Sequence, residues 1–157
     1  MIKKIIIIGA IAAIILLILG FLGFIYAADV AALDNAKISI KDVRVQEIGL
    51  TSCKLKIFID ITNPSDRDIS GLIADFDVFI TDTYVGSGSV SRVSIPAHSS
   101  REKGVTITIF YANVAEAIID AIIDGYFDLS IKGYASGDVF FGLITVTDQI
   151  SASTTYP

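Results

Sequence analysis

The chain is poor in the residues that do chemistry. Its 157 residues include no tryptophan, one methionine, one histidine (His98), one cysteine (Cys53) and three prolines. A lone cysteine allows no internal disulfide and leaves the redox compartment unread. One Cys and one His are too few for a tetrahedral zinc set. A cysteine nucleophile needs a base held by a third group, and nothing in the sequence brings His98 to Cys53. There is no Gly-x-Ser-x-Gly elbow, no phosphate loop and no metal-spaced His/Cys set. Basic residues are also scarce: 12 Lys and Arg face 17 Asp and Glu, a net charge of −5. That balance argues against a nucleic-acid binder, which needs a basic patch. These absences argue against an enzyme, and no cofactor or metal is expected.

Charge itself is missing from one stretch. Ile5 to Ala28 is a run of 24 uncharged residues, and it explains a mean hydropathy of +0.69 in a chain that is 18% charged. As a helix the run is about 36 Å long at 1.5 Å per residue, enough to cross a hydrocarbon core of about 30 Å with some tilt. Residues 1–28 are therefore expected to be a transmembrane anchor, with the lipid bilayer as partner of residues 5–28. Lys3 and Lys4 precede the run and Asp29 follows it, which puts the N-terminus in the cytoplasm and the rest of the chain outside. The competing reading is a secretory signal cleaved at a small-residue exit such as Val30-Ala31-Ala32. The apolar part of such a signal is shorter, usually about 7–15 residues, which favours the anchor.

Without Lys3 and Lys4, 10 basic residues face 17 acidic ones, so the remainder carries −7. Such a surface is soluble and is not drawn to anionic headgroups by its charge. Residues 29–36 read as a linker. From residue 37 to 157 the pattern is that of a single domain, long enough to bury one core.

In that domain the apolar period is two. Ile38 and Ile40, then Val43 and Val45, mark a strand that slips near Lys41-Asp42. Cys53, Leu55, Ile57, Ile59 and Ile61 alternate with Lys54, Lys56, Asp60 and Thr62, which gives one wet and one buried face. Asn63-Pro64-Ser65-Asp66 is turn chemistry. Further strands are expected over Ala74–Ile80, over Val85–Ile95 with a kink at Gly86-Ser87-Gly88, and over Val105–Ile109. Pro96 to Ser100 is a turn. Val114, Ala117, Ile118, Ala121 and Ile122 then form a helical face. Asn113 and Glu116 suggest a capping box and Gly125 a C-terminal stop. Strands at Phe127–Ile131 and Phe140–Thr147 close the list. The class is all-β with one short helix: an immunoglobulin- or fibronectin III-like β-sandwich of about seven strands behind one N-terminal transmembrane helix.

Most candidate functional residues have a structural explanation. Asp60, Asp66, Asp68, Asp75, Asp77 and Asp82 are oxygen donors of the type Ca²⁺ takes, but no EF-hand spacing is present and a solvated acidic face suffices. Glu116, Asp120 and Asp124 keep one side of the helix wet. His98 reads as an exposed turn residue and Cys53 as an inert core thiol. Phe58, Phe79 and Phe110 stand on the wet parity of their strands. They are expected to pack under the helix or to form a patch for a partner.

The order of these signals resembles the WHy (water stress and hypersensitive response) domain of the atypical, folded late-embryogenesis-abundant (LEA type 2, desiccation-related) proteins. Ile61-Thr62-Asn63-Pro64-Ser65 is similar to the family's Asn-Pro-Asn signature after an early strand, with Ser65 replacing the second Asn. Tyr84-Val85-Gly86-Ser87-Gly88 resembles its glycine step. Val93-Ser94-Ile95-Pro96-Ala97-His98-Ser99 resembles its Ile-Pro-Ala-x-Ser turn. The short helix and the strand from Tyr126 to Gly133 fall in family order. The likeness covers Lys37 to Val146, and the proline often found near the family's last strand is absent after Gly137. It implies structural roles for Asn63, Pro64, Ser65, Gly86, Gly88, Ile95 and Pro96. It also implies a non-enzymatic, membrane-anchored protein of desiccation or temperature tolerance that shields membranes or client proteins. The alternative is an accessory domain of a cell-envelope assembly.

Overall fold

A computed structural model describes residues 2–157, with side chains from Ile6 onward. The Lys3–Lys4 reading thus concerns side chains outside the described ones. A helix, α1, runs from Ile2 to Asn35, about 51 Å at 1.5 Å per residue. It is long and apolar enough to cross a membrane, a test that a signal sequence also passes. Of residues 29–36, expected as a linker, 29–35 are the last turns of this helix and Ala36 alone joins it to the first strand: no proline or glycine interrupts Asp29 to Asn35.

Seven strands follow: β1 (Lys37–Ile48), β2 (Ser52–Asn63), β3 (Ile69–Ile80), β4 (Thr83–Ile95), β5 (Ser99–Phe110), β6 (Phe127–Val139) and β7 (Ile144–Tyr156). A second helix, α2 (Glu116–Asp124), lies between β5 and β6. One sheet has the order β1-β2-β5 and the other β4-β3-β6-β7, and every pairing is antiparallel. This is the expected sandwich. The inner faces meet in a core that includes Leu55, Ile57, Ile59, Ile61, Ile107 and Ile109 on one side. Phe76, Val78, Ile80, Ile95, Leu129 and Ile131 belong to the same core from the other sheet. Burying each such side chain is worth roughly 1.5–3 kcal/mol.

The slip in β1 falls between Ile40 and Asp42. The Asp42 carboxylate caps it, accepting the Val43 amide at 2.9 Å and Arg44 Nε at 2.8 Å. β4 is irregular twice: at the start of the expected kink, where Val78 pairs with Gly86 but Phe79 with Tyr84, and again where Leu72 pairs with Val93 and Ala74 with Val90. Two expectations need correction. Asn113 does not cap α2: it ends a 3₁₀ turn (Tyr111–Asn113), and the N-cap is Ala115, without a side-chain bond. Gly125 does end α2 in the left-handed region, at φ 72°. Finally, Phe140 does not open the last strand. β6 continues to Val139, residues 140–143 turn, and β7 begins at Ile144. An uncharged Phe-Phe-Gly-Leu-Ile stretch has the composition of a strand, and only the pairing of β6 with β7 shows where the chain reverses.

The topology gives the sandwich two unlike ends. Register places the β2–β3 loop, the β4–β5 loop, the β6–β7 turn and the start of β1 at one pole. This proximal pole is where α1 joins. The β1–β2 and β3–β4 turns, α2 and the C-terminus form the distal pole.

Candidate functional site

The proximal pole gathers most of the motif residues. Two arches carry the chain from one sheet to the other here: residues 64–68, between β2 and β3, and residues 96–98, between β4 and β5. Asn63 stands under both and is fully buried. Its Nδ2 donates to the carbonyls of Arg67 (2.6 Å), Ile95 (3.1 Å) and Pro96 (3.2 Å). Its Oδ1 accepts the amide (3.1 Å) and hydroxyl (2.7 Å) of Ser65. A buried amide is tolerated when its donors and acceptors are filled, and here both ends are. Ser65 also bonds the Arg67 carbonyl at 3.0 Å through its hydroxyl and accepts the His98 amide at 3.1 Å through its carbonyl. Asp68 accepts the Ala97 amide at 2.8 Å. The Asn63-Pro64-Ser65 and Ile95-Pro96 motifs, 32 residues apart, are thus one clamp. Pro64 and Pro96 sit exposed on its two arches, where a fixed φ and a missing N–H are no loss.

The clamp continues into α1, which the sequence did not reveal. Arg67 places Nε (2.8 Å) and a terminal nitrogen on Asp29 Oδ1. The other oxygen of Asp29 accepts the Phe140 amide at 3.1 Å. The Asp29 side chain is 16% exposed, and charge-assisted bonds of this kind are about twice as strong as neutral ones. Ile25 and Ala32 are buried on the same stretch of helix, and the Leu33 side chain fills the space beside Gly137. Ile25, Asp29, Ala32 and Leu33 are spaced by three and four, so they form one stripe of α1. The sequence signal for this docking face was present, but the far stronger hydropathy of residues 5–28 masked it. A cleft of about 390 Å³ opens between Asp29, Arg67, Asp68 and Asp138.

The other candidates are dispersed. Gly86 and Gly88 face β5 across the sandwich. A Cβ on Gly88 would lie 2.8 Å from Val105 and 2.9 Å from the Phe76 ring, whereas Gly86 has only Ile107 at 3.8 Å. Phe58 and Phe110 lie on the outer side of the three-stranded sheet. They are separated along it, since Phe58 pairs with Gly104 and Phe110 with Ser52. Phe79 lies on the other sheet, so the three do not form one patch. Phe58 lies beneath Arg44 (4.8 Å) and Lys56 (5.1 Å), and Phe79 contacts Tyr84 and Lys132. Asp75 and Asp77 border an open trough of about 930 Å³ on the outer face of the four-stranded sheet, with Lys132 and Tyr134. Asp66 meets His98 Nε2 at 2.6 Å in full solvent. Among the described residues no three His, Cys, Asp or Glu side chains converge in metal-site geometry. Glu116, Asp120 and Asp124 are exposed on α2.

Cys53 lies at the distal end of β2, opposite Ile109. His98 is at the proximal end, about ten strand residues or 33 Å away at 3.3 Å per residue. The thiol is buried, and burial pushes its pKa up, the reverse of what a thiolate nucleophile needs. Beside it the Tyr111 phenol is also raised, first by burial and then by Cys53.

The fold is shared with a plant protein. The solution structure of AT1g01470 from Arabidopsis thaliana matches with a TM-score of 0.59 at 18% identity, over 75% of this chain and 78% of that one. Two looser likenesses have TM-scores of 0.47 and are too distant to argue from. One is the solution structure of At2g46140.1, provisionally named a late embryogenesis abundant protein, at 12% identity over 95% of this chain and 86% of that one. The other is a crystal structure of a protein from Archaeoglobus fulgidus, at 8% identity over 76% and 93%. No family model and no curated protein matches the chain.

Proposed function

We propose that this chain is a WHy-type LEA protein, held in a membrane by α1, that protects neighbouring lipid or protein without catalysis when water is withdrawn. The observation that carries the reading is the Asn63 clamp. Two short motifs that resemble that family's signatures meet in one buried hydrogen-bonded unit, on a sandwich shared with AT1g01470. The acidic, hydrated surface of the domain suits a spacer between membranes or a shield for partly unfolded neighbours. The docking of α1 supports an anchor over a cleaved signal. Cleavage near Ala31 to Leu33 would remove Asp29, the partner of both Arg67 and the Phe140 amide.

The test is to dry and rehydrate dye-filled vesicles carrying the full chain, with a labile enzyme outside. Retention of dye or enzyme activity above that of vesicles carrying an unrelated single-pass protein at equal mass is expected. Equal losses would sink the protective role. Mass spectrometry of the protein purified from membranes is expected to find Lys3 and Lys4 retained. A new N-terminus near Ala31 to Leu33 would show secretion instead. A second reading, an accessory domain of an envelope assembly, is favoured by Leu50 and Phe110, which stand 101% and 55% exposed at the distal pole. A stoichiometric partner recovered after gentle crosslinking would support it.

A further inference from the structure

The β6–β7 turn is an unusual hairpin tip. Its residues are Phe140-Phe141-Gly142-Leu143, and no charge occurs between Asp138 and Asp148. Phe141 and Leu143 are 73% and 76% exposed, and Ile144 is 42% exposed. Phe140 and Phe141 both adopt positive φ, 53° and 58°, a region that asparagine and glycine occupy with far less strain. A turn selected for stability alone would not place two phenylalanines there, and such outliers gather where a side chain has work to do.

The tip lies against α1. The Phe140 ring meets Tyr26 edge-on at 6.5 Å and Phe141 at 5.6 Å, while the Phe140 amide is tied to Asp29. Tyr26 belongs to the last turn of the uncharged run that ends at Ala28. A hydrocarbon core of about 30 Å takes up about 20 helical residues, which leaves Tyr26 at the headgroup level, where tyrosine collects.

We propose that the hairpin tip enters the lipid leaflet beside α1, with Phe141 and Leu143 in the acyl-chain boundary, as a second membrane contact of the domain. The proposal rests on the reading of α1 as a membrane span. The occupant is lipid because the tip is continuous with the apolar surface of α1 and carries no charge to attract a polar partner. The contact is apolar, so it is indifferent to lipid charge and operates despite the −7 carried by residues 29–157. Two attachments, one helical and one at the tip, fix the tilt of the sandwich on the bilayer.

The test uses the full chain in phosphatidylcholine vesicles, in a Cys53→Ala background, with one environment-sensitive dye on a single introduced cysteine. Phe141→Cys and Leu143→Cys are compared with Leu17→Cys in the middle of the run and Asp82→Cys at the distal turn. Shallow and deep spin-labelled lipids serve as quenchers. Dyes at 141 and 143 are expected to be quenched at least twofold by the shallow label, 17 by the deep one, and 82 by neither. If 17 is quenched but 141 and 143 stay wet, the tip proposal fails and the span survives. If 17 is not quenched, the span reading fails and takes the proposal with it. Blue-shifted but unquenched dyes at 141 and 143 mean that a protein or a second copy covers the tip, which also overturns the proposal. An independent arm uses Phe141→Ser/Leu143→Ser, whose thermal melt should match the parent. Energy transfer from residue 82 to a bilayer-surface dye should then broaden in the variant, and an unchanged distribution counts against the proposal.

Discussion

At the proximal pole the loops are held by side chains, and at the distal pole by backbone. Asn63 joins two arches there, and Arg67 and Asp29 join them to α1 and to the β6–β7 turn. At the distal pole the β3–β4 hairpin turns on Thr81 and Asp82, both at positive φ, and the Thr81 amide bonds the Asp128 carbonyl at 2.9 Å. α2 ends there on the left-handed Gly125. Both poles expose apolar side chains and both contain strained turns. Only the proximal one touches α1. The difference shows where rigidity is placed: the end that meets the helix is cross-braced, and the free end is closed by local turns.

Removing the brace should have the largest effect. Asn63→Ala takes the side-chain donor from the Ile95 and Pro96 carbonyls and the acceptor from the Ser65 amide, and leaves the Arg67 carbonyl with the Ser65 hydroxyl alone. It is expected to cost about 3 kcal/mol, with each unsatisfied group worth about 1–3 but not additive. For a domain of this size that lowers the melting temperature by about 10 °C. A loss no larger than that of an exposed Asp82→Ala at the other pole would break the comparison. Between the poles, Gly88→Ala should cost about 1–3 kcal/mol through overpacking against Phe76 and Val105. Gly86→Ala should be close to neutral, and equal melts for the two would contradict the packing described.

The link to α1 is weaker. Arg67→Ala is expected to cost about 1 kcal/mol, because Arg67 is partly exposed and solvent screens the pair. Hydrogen exchange should accelerate at residues 25–36 and leave the distal turn unchanged. The two hairpins can then be compared by the same exchange. Thr81→Asn/Asp82→Gly relaxes the distal turn and is expected to stabilise by about 0.5–1 kcal/mol. Phe141→Gly, which relieves an exposed residue at φ 58° and keeps the Phe140 ring on Tyr26, should do likewise for the isolated fold, yet weaken contact with lipid.

The smallest effect is a pH slope at the distal pole. The Cys53 pKa is raised in the folded chain. Above the thiol's ordinary value near 9.0, the unfolded chain has therefore lost a proton that the folded chain keeps, and stability falls as pH rises. Cys53→Ala should flatten part of that fall in chemical denaturation. A disulfide reagent should modify the native thiol no faster than global unfolding allows, and prompt modification would show that it is not buried.

Much of the sandwich was legible because alternation is a local property. Cys53 to Ile61 declare which face is buried without reference to any partner strand. The bulge at Lys41–Asp42 shows as a slip in that same pattern. The turn at Phe140–Leu143 was not legible, since an uncharged aromatic stretch carries no mark of reversal until β6 pairs with β7. The capping box on Asn113 failed for a related reason: the chain after β5 makes a 3₁₀ turn before α2 begins, so the helix starts at Glu116.

By itself, then, the amino-acid order determined the apolar run, the parity of the strands before β7 and the turns at Asn63–Asp66 and Pro96–Ser100, because these depend on residues within a few positions of one another. The tertiary structure alone decided that Asn63 serves Ile95 and Pro96, that Asp29 serves Arg67 and Phe140, and that Phe58, Phe79 and Phe110 stay apart. Those are contacts between residues up to 111 positions distant. Hydrogen bonds and ion pairs act over a few ångströms, so such distant partners are selected only once the strands have been laid side by side.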